Sequence, residues 1–223
     1  MNMNDLKNMA VLWHTVFGDS EEEAMLYLSR YATPDNHITV FKDNRVVGMA
    51  HHPVFFTPQG LTVNYLYAVC VIQEMRGKGM AHRMIHTLLN NRGNTIASVT
   101  IPADEGLRHW YAEQFGYRYP AGEPLLRFHS DYDFGSGNHS QDVMMVRITN
   151  AARYLAEWAS HNPDAEERFS ITDSIIPGNN IGCRIAGGKL FTEAKSAENA
   201  IDIADIYTSH PLEINDLTPL TLI

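Results

Sequence analysis

Residues 76–81, Arg-Gly-Lys-Gly-Met-Ala, place two glycines and two cations in one turn. The turn sits between an apolar run ending at Ile72 and an amphipathic pattern that begins after Gly79. Glycines at a strand-to-helix turn let backbone N–H groups face a ligand closely, and the helix N-terminus adds partial positive charge. With Arg76 and Lys78 they make a cradle for phosphate oxygens. The segment is not a P-loop, which needs GxxxxGK followed by Ser or Thr, and it lacks the third glycine of a GxGxxG fingerprint. Alone, such a turn is more often a tight connection than a phosphate site. His82 and His86 stand four apart on the following helix, a metal-binding spacing. No Glu lies between them as in HExxH and no third ligand follows, so a solvated helix side is the reading and no metal is expected.

Neighbouring elements must hold that turn in place. Leu6, Met9, Ala10, Trp13 and Phe17 recur at helical steps, and Ser20 with Glu23 has the spacing of a capping box that restarts a helix. The stretch HITVFKDNRVVGMAHHPVFF reads as a hairpin about Asp43–Asn44, and TPQG leads into the strand LTVNYLYAVCVI. After the turn, Ala81, Met84, Ile85, Leu88 and Leu89 line one helix face. Next come a buried strand, TIASVTIP, a helix, ADEGLRHWYAEQF, and short strands at GYRYP and LLRFHS. That order is α+β, with parallel pairing expected around the central strands.

In this setting Arg76–Ala81 resembles the R/Q-x-x-G-x-G/A signature of the GNAT superfamily of acyl-CoA-dependent N-acetyltransferases. The element order from residue 4 to about 130 fits the same family. The resemblance implies a GNAT acyltransferase fold, a mixed central sheet with flanking helices, and acetyl-CoA as cosubstrate. It assigns the backbone of Val69, Cys70 and Val71 to the pantetheine arm, with amides of Cys70 or Val71 as oxyanion donors. Arg76, Gly77, Lys78, Gly79, Met80 and Ala81 would hold the pyrophosphate.

Such enzymes commonly carry a tyrosine acid in a pattern like L-x-x-F-Y-x-x-x-G-F, for which this chain has LRHWYAEQFGY. Counting forward from Leu107 gives Tyr111, and counting back from Gly116 gives Ala112. A bulge or an early helix end after Tyr111 would restore the match, and Tyr111 is the expected acid. For the general base, His51 and His52 point to opposite strand faces, so one can look into the cleft; His52 is the candidate, with Glu105 and His109 as alternatives. Cys70 reads as a packing residue rather than a covalent nucleophile.

The 223 residues suffice for one large domain or two small ones. Lys+Arg 17 against Asp+Glu 26 gives a net charge of −9, which argues against nucleic acid and favours a cationic substrate. Cys70 and Cys183 form no CxxC, hence neither a disulfide framework nor a zinc site. The N-terminus lacks the apolar core of a signal peptide, and no run is long enough to span a bilayer. A cytoplasmic protein is expected.

Residues 131–142, DYDFGSGNHSQD, read as a linker between a GNAT domain at 1–130 and a second domain at 143–223. The second part shows a strand, VMMVRI, a helix capped by Asn150, an alternating run RFSITDSI and a Gly187–Gly188 hairpin. Its closing segment, LEINDLTPLTLI, reads as a short helix broken at Pro219. Through Arg147, Ile148, Asp173, Pro177, Asn179 and Asn180 it resembles the sterol-carrier-like α+β C-terminal domain of acetyltransferases of the enhanced-intracellular-survival (Eis) type. That type has a second acetyltransferase-like region between the two parts, absent here, and continues past the last helix, so this domain is shortened. Its terminal carboxylate reaches the active site as a base, which makes Ile223 a catalytic candidate. The expected function is an N-acetyltransferase moving an acetyl group from acetyl-CoA to a small or peptidyl primary amine by direct attack in a ternary complex. The alternative is a coenzyme A- or lipid-binding protein that has lost catalysis. Assembly as a homo-oligomer stays open.

Overall fold

Ser20 and Glu23 set the first corner of the chain. The Ser20 hydroxyl accepts from the Glu23 amide at 3.1 Å while the Glu23 carboxylate accepts from the Ser20 amide at 2.9 Å. This box separates α1 (Met3–Phe17) from α2 (Glu21–Tyr31). A computed structural model of the protein describes residues 3–91, 93–120, 126–134, 143–196 and 198–220. Strands β1 (His37–Lys42) and β2 (Arg45–His51) close on Asp43 and Asn44, both left-handed at φ 51° and 59°, as the two-residue turn requires. Then follow β3 (Val54–Phe56), β4 (Thr62–Tyr65), β5 (Tyr67–Val71), α3 (Met80–Asn90), β6 (Ala97–Thr100), α4 (Glu105–Phe115) and β7 (Arg127–Phe128). The short strand expected in GYRYP is reduced to a single bridge between Arg118 and Val146.

The apolar run 61–72 is not one strand. Strand β4 pairs in parallel with β6, Tyr65 opposite Val99, whereas β5 pairs antiparallel with β2, Cys70 opposite Met49. The change of partner falls at Leu66, whose amide still donates to the Val99 carbonyl at 2.8 Å, and at Ala68, held left-handed at φ 48°. Strand β5 therefore ends a three-stranded sheet, β1-β2-β5, while β4 and β6 belong to a six-stranded one. Between β5 and β6 the two sheets part.

Beyond residue 142 come β8 (Met145–Ile148), α5 (Ala151–His161), β9 (Glu167–Thr172), β10 (Gly182–Ala186), β11 (Lys189–Glu193), β12 (Ala200–Asp202), α6 (Ile203–Ser209) and β13 (Asp216–Pro219). Four of these strands make their own sheet, β11-β10-β9-β12, with α5 against β11. The other two cross the expected boundary: the large sheet runs β7-β13-β3-β4-β6-β8, with β8 antiparallel to β6 and β13 antiparallel to β3. Where the sequence suggested a closing helix, residues 216–219 form a strand, because Leu217 is buried between less buried neighbours in a two-residue period.

An ion pair ties the parts together. Arg147 of β8 and Asp173, after β9, have side chains only 2% and 0% exposed. Arg147 Nη2 donates to both Asp173 oxygens at 2.7 and 2.9 Å, and Nη1 donates to the Phe115 carbonyl at the end of α4. Asp173 also accepts from the amides of Ile175 and Ile176 and from Asn179, and Asn179 in turn accepts from the Ala151 amide that opens α5. Replacing Asp173 by alanine strands a buried guanidinium, and we expect a loss of about 3–5 kcal/mol in denaturant unfolding. The paired change Arg147→Met with Asp173→Leu is expected to recover most of it. A loss below about 1 kcal/mol in the single variant contradicts the assignment.

Candidate active site

The glycine turn is built as a donor cradle. Gly77 and Gly79 are both left-handed, at φ 71° and 69°, and Gly79 is the N-cap of α3 with no side-chain cap. The Arg83 amide makes the bond to the Gly79 carbonyl, leaving the amides of Met80, Ala81 and His82 ahead of the helical ladder at an end with partial positive charge. Arg76 and Lys78 are exposed and brace the turn: Arg76 Nε donates to the Val71 carbonyl at 3.0 Å and Lys78 Nζ to the Glu74 carbonyl at 2.9 Å. The Met80 side chain packs inward, its sulfur 2.8 Å from where a Cβ on Gly48 would stand, so Met80 offers the turn its backbone alone.

Where the sheets part, a cavity of about 300 Å³ opens. Ala68 and Val69 of β5 lie on one side; Thr100 at the end of β6 and Ile101 to Ala103 after it lie on the other; Trp13, Phe17 and Asp19 close it from α1 and its exit. Among the described residues, strand β5 has β2 on one edge only, so its other edge offers backbone groups toward this opening. Val69 lines the cavity; Cys70 is buried, and burial pushes its thiol up to about 12, a protonated group unsuited to attack.

Tyr111 lines the cavity with Leu107, one helical turn earlier. Burial raises the Tyr111 phenol well above its ordinary range, with Tyr117 adding to the shift and a hydrogen bond with Thr100 opposing it. The hydroxyl is thus held protonated, the form a proton donor needs. No bulge follows Tyr111: α4 runs unbroken to Phe115 and ends at left-handed Gly116, whose amide bonds Ala112 O while the Tyr117 amide bonds Tyr111 O. The expected bulge or early helix end is therefore corrected. The match to the tyrosine pattern is not restored, yet Tyr111 rather than Ala112 faces the cleft.

Neither histidine of the pair lines the cavity. His52 is fully enclosed, with Nε2 2.7 Å from Ser98 Oγ and a second bond to the Leu88 backbone. His51 sits among Trp13, Tyr27 and His37, and neither ring nitrogen has a hydrogen-bond partner among the described residues. Glu105 and His109 face each other at 3.6 Å on the outer side of α4. Ile223 lies outside the described residues. Sequence reading missed Asp19, Thr100 and the aromatic residues Trp13, Tyr65, Tyr67 and Phe134; the spacing of Trp13 and Phe17 marks a helix and says nothing of a cleft. Among the described residues no His/Cys/Asp/Glu cluster could hold a metal.

Residues 1–119 match the family model described as acetyltransferase (GNAT) domain. A search of curated protein sequences gives no match. Among solved structures, a GCN5-related N-acetyltransferase from Anabaena variabilis aligns over 93% of this chain and 88% of its own, at 13% identity and a TM-score of 0.64. Eis1 from Mycobacterium abscessus aligns over 94% and 87%, at 9% identity and 0.65. A probable N-acyltransferase from Enterococcus faecalis aligns over 92% and 86%, at 14% identity and 0.65. At these identities the likeness is one of fold.

Burial lowers both His51 and His52 to about 3, with His37 adding to the shift at His51. Each ring is neutral when folded and takes a proton near its ordinary pH of about 6.5 once unfolded. Their contribution is whole above that value and is lost as the pH falls toward 3. Between pH 7 and pH 5 we expect each to remove about 2 kcal/mol, read as a falling denaturant midpoint. His51→Phe, which also removes two orphaned nitrogens, should flatten that slope. An unchanged slope contradicts the burial argument.

Proposed function

We propose that this chain, which belongs to the GNAT acetyltransferase family, moves an acetyl group from acetyl-CoA to a primary amine by direct attack within a ternary complex. The observation that carries the reading is one strand, β5, with an open edge on the cleft, the glycine cradle beyond its end and Tyr111 among the residues that line the same cleft. The amides of Met80, Ala81 and His82, with the charges of Arg76 and Lys78, take the pyrophosphate. The β5 edge pairs with the pantetheine arm and sets the thioester near Thr100 and Tyr111.

A neutral amine attacks the thioester carbon, and the amide of Cys70 or Val71 stabilises the oxyanion. The C–S bond then breaks, and the departing sulfur takes the Tyr111 proton. A thiol has an ordinary pKa of about 8.5, so the acid assists rather than enables the step. Among the described residues no histidine lines the cleft, and the proton released by the amine passes to water or to the Ile223 carboxylate, the base that the family resemblance suggests. The sheet β11-β10-β9-β12 with α5 supports reading a sterol-carrier-like unit within residues 143–223. No described helix is long and apolar enough to cross a membrane, and both cysteines are free and buried, which suits a reducing cytoplasm.

Thiol release from acetyl-CoA in the presence of primary amines tests the activity. Tyr111→Phe is expected to lower kcat about tenfold to a hundredfold while KM for acetyl-CoA stays close to the parent value. Coenzyme A binding without thiol release in parent and variant alike would instead identify a binding protein. Gly79→Ala forces a left-handed position on a residue with a Cβ, at a cost of about 1–2 kcal/mol. It is expected to weaken coenzyme A binding on the order of tenfold by calorimetry, with circular dichroism unchanged.

A further inference from the structure

Where the sheets part, a backbone carbonyl is left without its ladder partner, and a side chain takes over. Strand β4 runs parallel to β6 with Tyr65 opposite Val99, and the Leu66 amide donates to the Val99 carbonyl at 2.8 Å. Continued, that ladder would bring the Ile101 amide to the Leu66 carbonyl. Strand β6 ends at Thr100, however, and among the described residues no backbone amide fills that place. The Thr100 hydroxyl donates to the Leu66 carbonyl instead, at 3.0 Å. A hydroxyl has one proton and two lone pairs, so Thr100 Oγ1 can only accept from any further partner. That partner is the Tyr111 hydroxyl, which must therefore be the donor of their hydrogen bond. Tyr117, whose ring lies 5.6 Å from that of Tyr111, is engaged elsewhere, its hydroxyl 2.7 Å from Ser98 Oγ. Leu66, Thr100 and Tyr111 all line the cleft.

Resting on the acetyltransferase reading, we propose that Thr100 is a positioning residue for the transfer step: with its only proton committed to Leu66, it fixes the Tyr111 hydroxyl as a donor in one orientation at the cleft. When the C–S bond breaks, sulfur keeps the electron pair and takes the Tyr111 proton, and a phenolate remains. Thr100 then turns its own proton from the Leu66 carbonyl to the phenolate, a charge-assisted bond that stabilises it. The phenolate is restored from solvent by one proton, matching the one the amine gave up, and no other reactant is needed. Burial raises the Tyr111 phenol and the Thr100 bond works against that rise, as a contact that favours the phenolate must. The residue that caps the parted sheet thus also aims the acid.

The test is a cycle of variants of the full chain, read as thiol release from acetyl-CoA in the presence of a primary amine. Thr100→Val keeps the branched shape and removes the hydroxyl; we expect kcat to fall about fivefold to tenfold with KM for acetyl-CoA near the parent value. Thr100→Ser keeps the hydroxyl and should restore most of kcat. A residue that acts through Tyr111 has nothing to act on once that hydroxyl is gone. Thr100→Val made in Tyr111→Phe should therefore change kcat by no more than about twofold. Thr100→Ala makes the same deletion without the valine methyl, and takes its place in the cycle should circular dichroism show Thr100→Val unfolded. Losses that multiply in the double variant, Thr100→Ser as slow as Thr100→Val, or parent kcat in Thr100→Val each overturn the inference and leave the acetyltransferase reading standing. Parent kcat in Tyr111→Phe removes the acid and the inference together, again without touching acetyl transfer. Coenzyme A binding with no thiol release from the parent overturns both.

Discussion

The structure turns on a change of partner within one apolar run. A strand that kept β6 as its neighbour past Leu66 would close the sheet and leave no opening. Instead the Leu66 amide makes the last ladder bond to Val99, and left-handed Ala68 turns the backbone toward β2. Backbone polar groups need partners, and those on the free edge of β5 belong to an edge strand facing a cavity rather than to a buried ladder. The same change of direction carries the chain toward the glycine turn. One conformational choice thus creates the cleft, the edge that can grip a ligand and the approach to the phosphate cradle.

The wall opposite that edge depends on the far end of the chain. Helix α4 presents Tyr111, and its last carbonyl, from Phe115, accepts from Arg147 on β8. Gly116 follows in a left-handed conformation, and a Cβ there would stand 2.8 Å from the same guanidinium. Asp173 holds Arg147 from the other side, in a cluster that also fixes the start of α5. Burying two charges is costly unless they are paired and their remaining hydrogen bonds met, and this pair meets most of them through amides and Asn179. The residues after 142 therefore do more than form a neighbouring sheet. They complete the large sheet with β8 and β13 and set where the tyrosine helix ends.

Local signals were legible in the sequence because they are satisfied by near neighbours. The Ser20–Glu23 box, the Asp43–Asn44 and Gly187–Gly188 turns and the amphipathic α3 all stand where spacing put them. Less legible was whatever a distant segment decides. Nothing in LTVNYLYAVCVI says that its halves pair with different strands, since both halves are equally apolar. LEINDLTPLTLI contains both a two-residue alternation and a helix-like clustering of leucines, and pairing with β3 settled residues 216–219 as a strand. The cradle was readable because glycine and cation are rare in such a place. The aromatic residues of the cleft were not, because a tryptophan that lines a cleft and one that fills a core have the same spacing.

The tyrosine register shows how geometry resolves what counting leaves open. Successive helical residues are separated by about 100° around the axis, so Tyr111 and Ala112 cannot share a direction. Leu107 and Tyr111 are four apart and share a face, and both line the cleft. The extra residue before Gly116 is absorbed at the helix end rather than within it. Its amides close back on Ala112 and Tyr111, so the insertion moves the cap and leaves the face intact. A count from the glycine carries that added residue with it, and a count from Leu107 does not. The fixed point is the face that packs against the cleft, and the cap is the part free to shift.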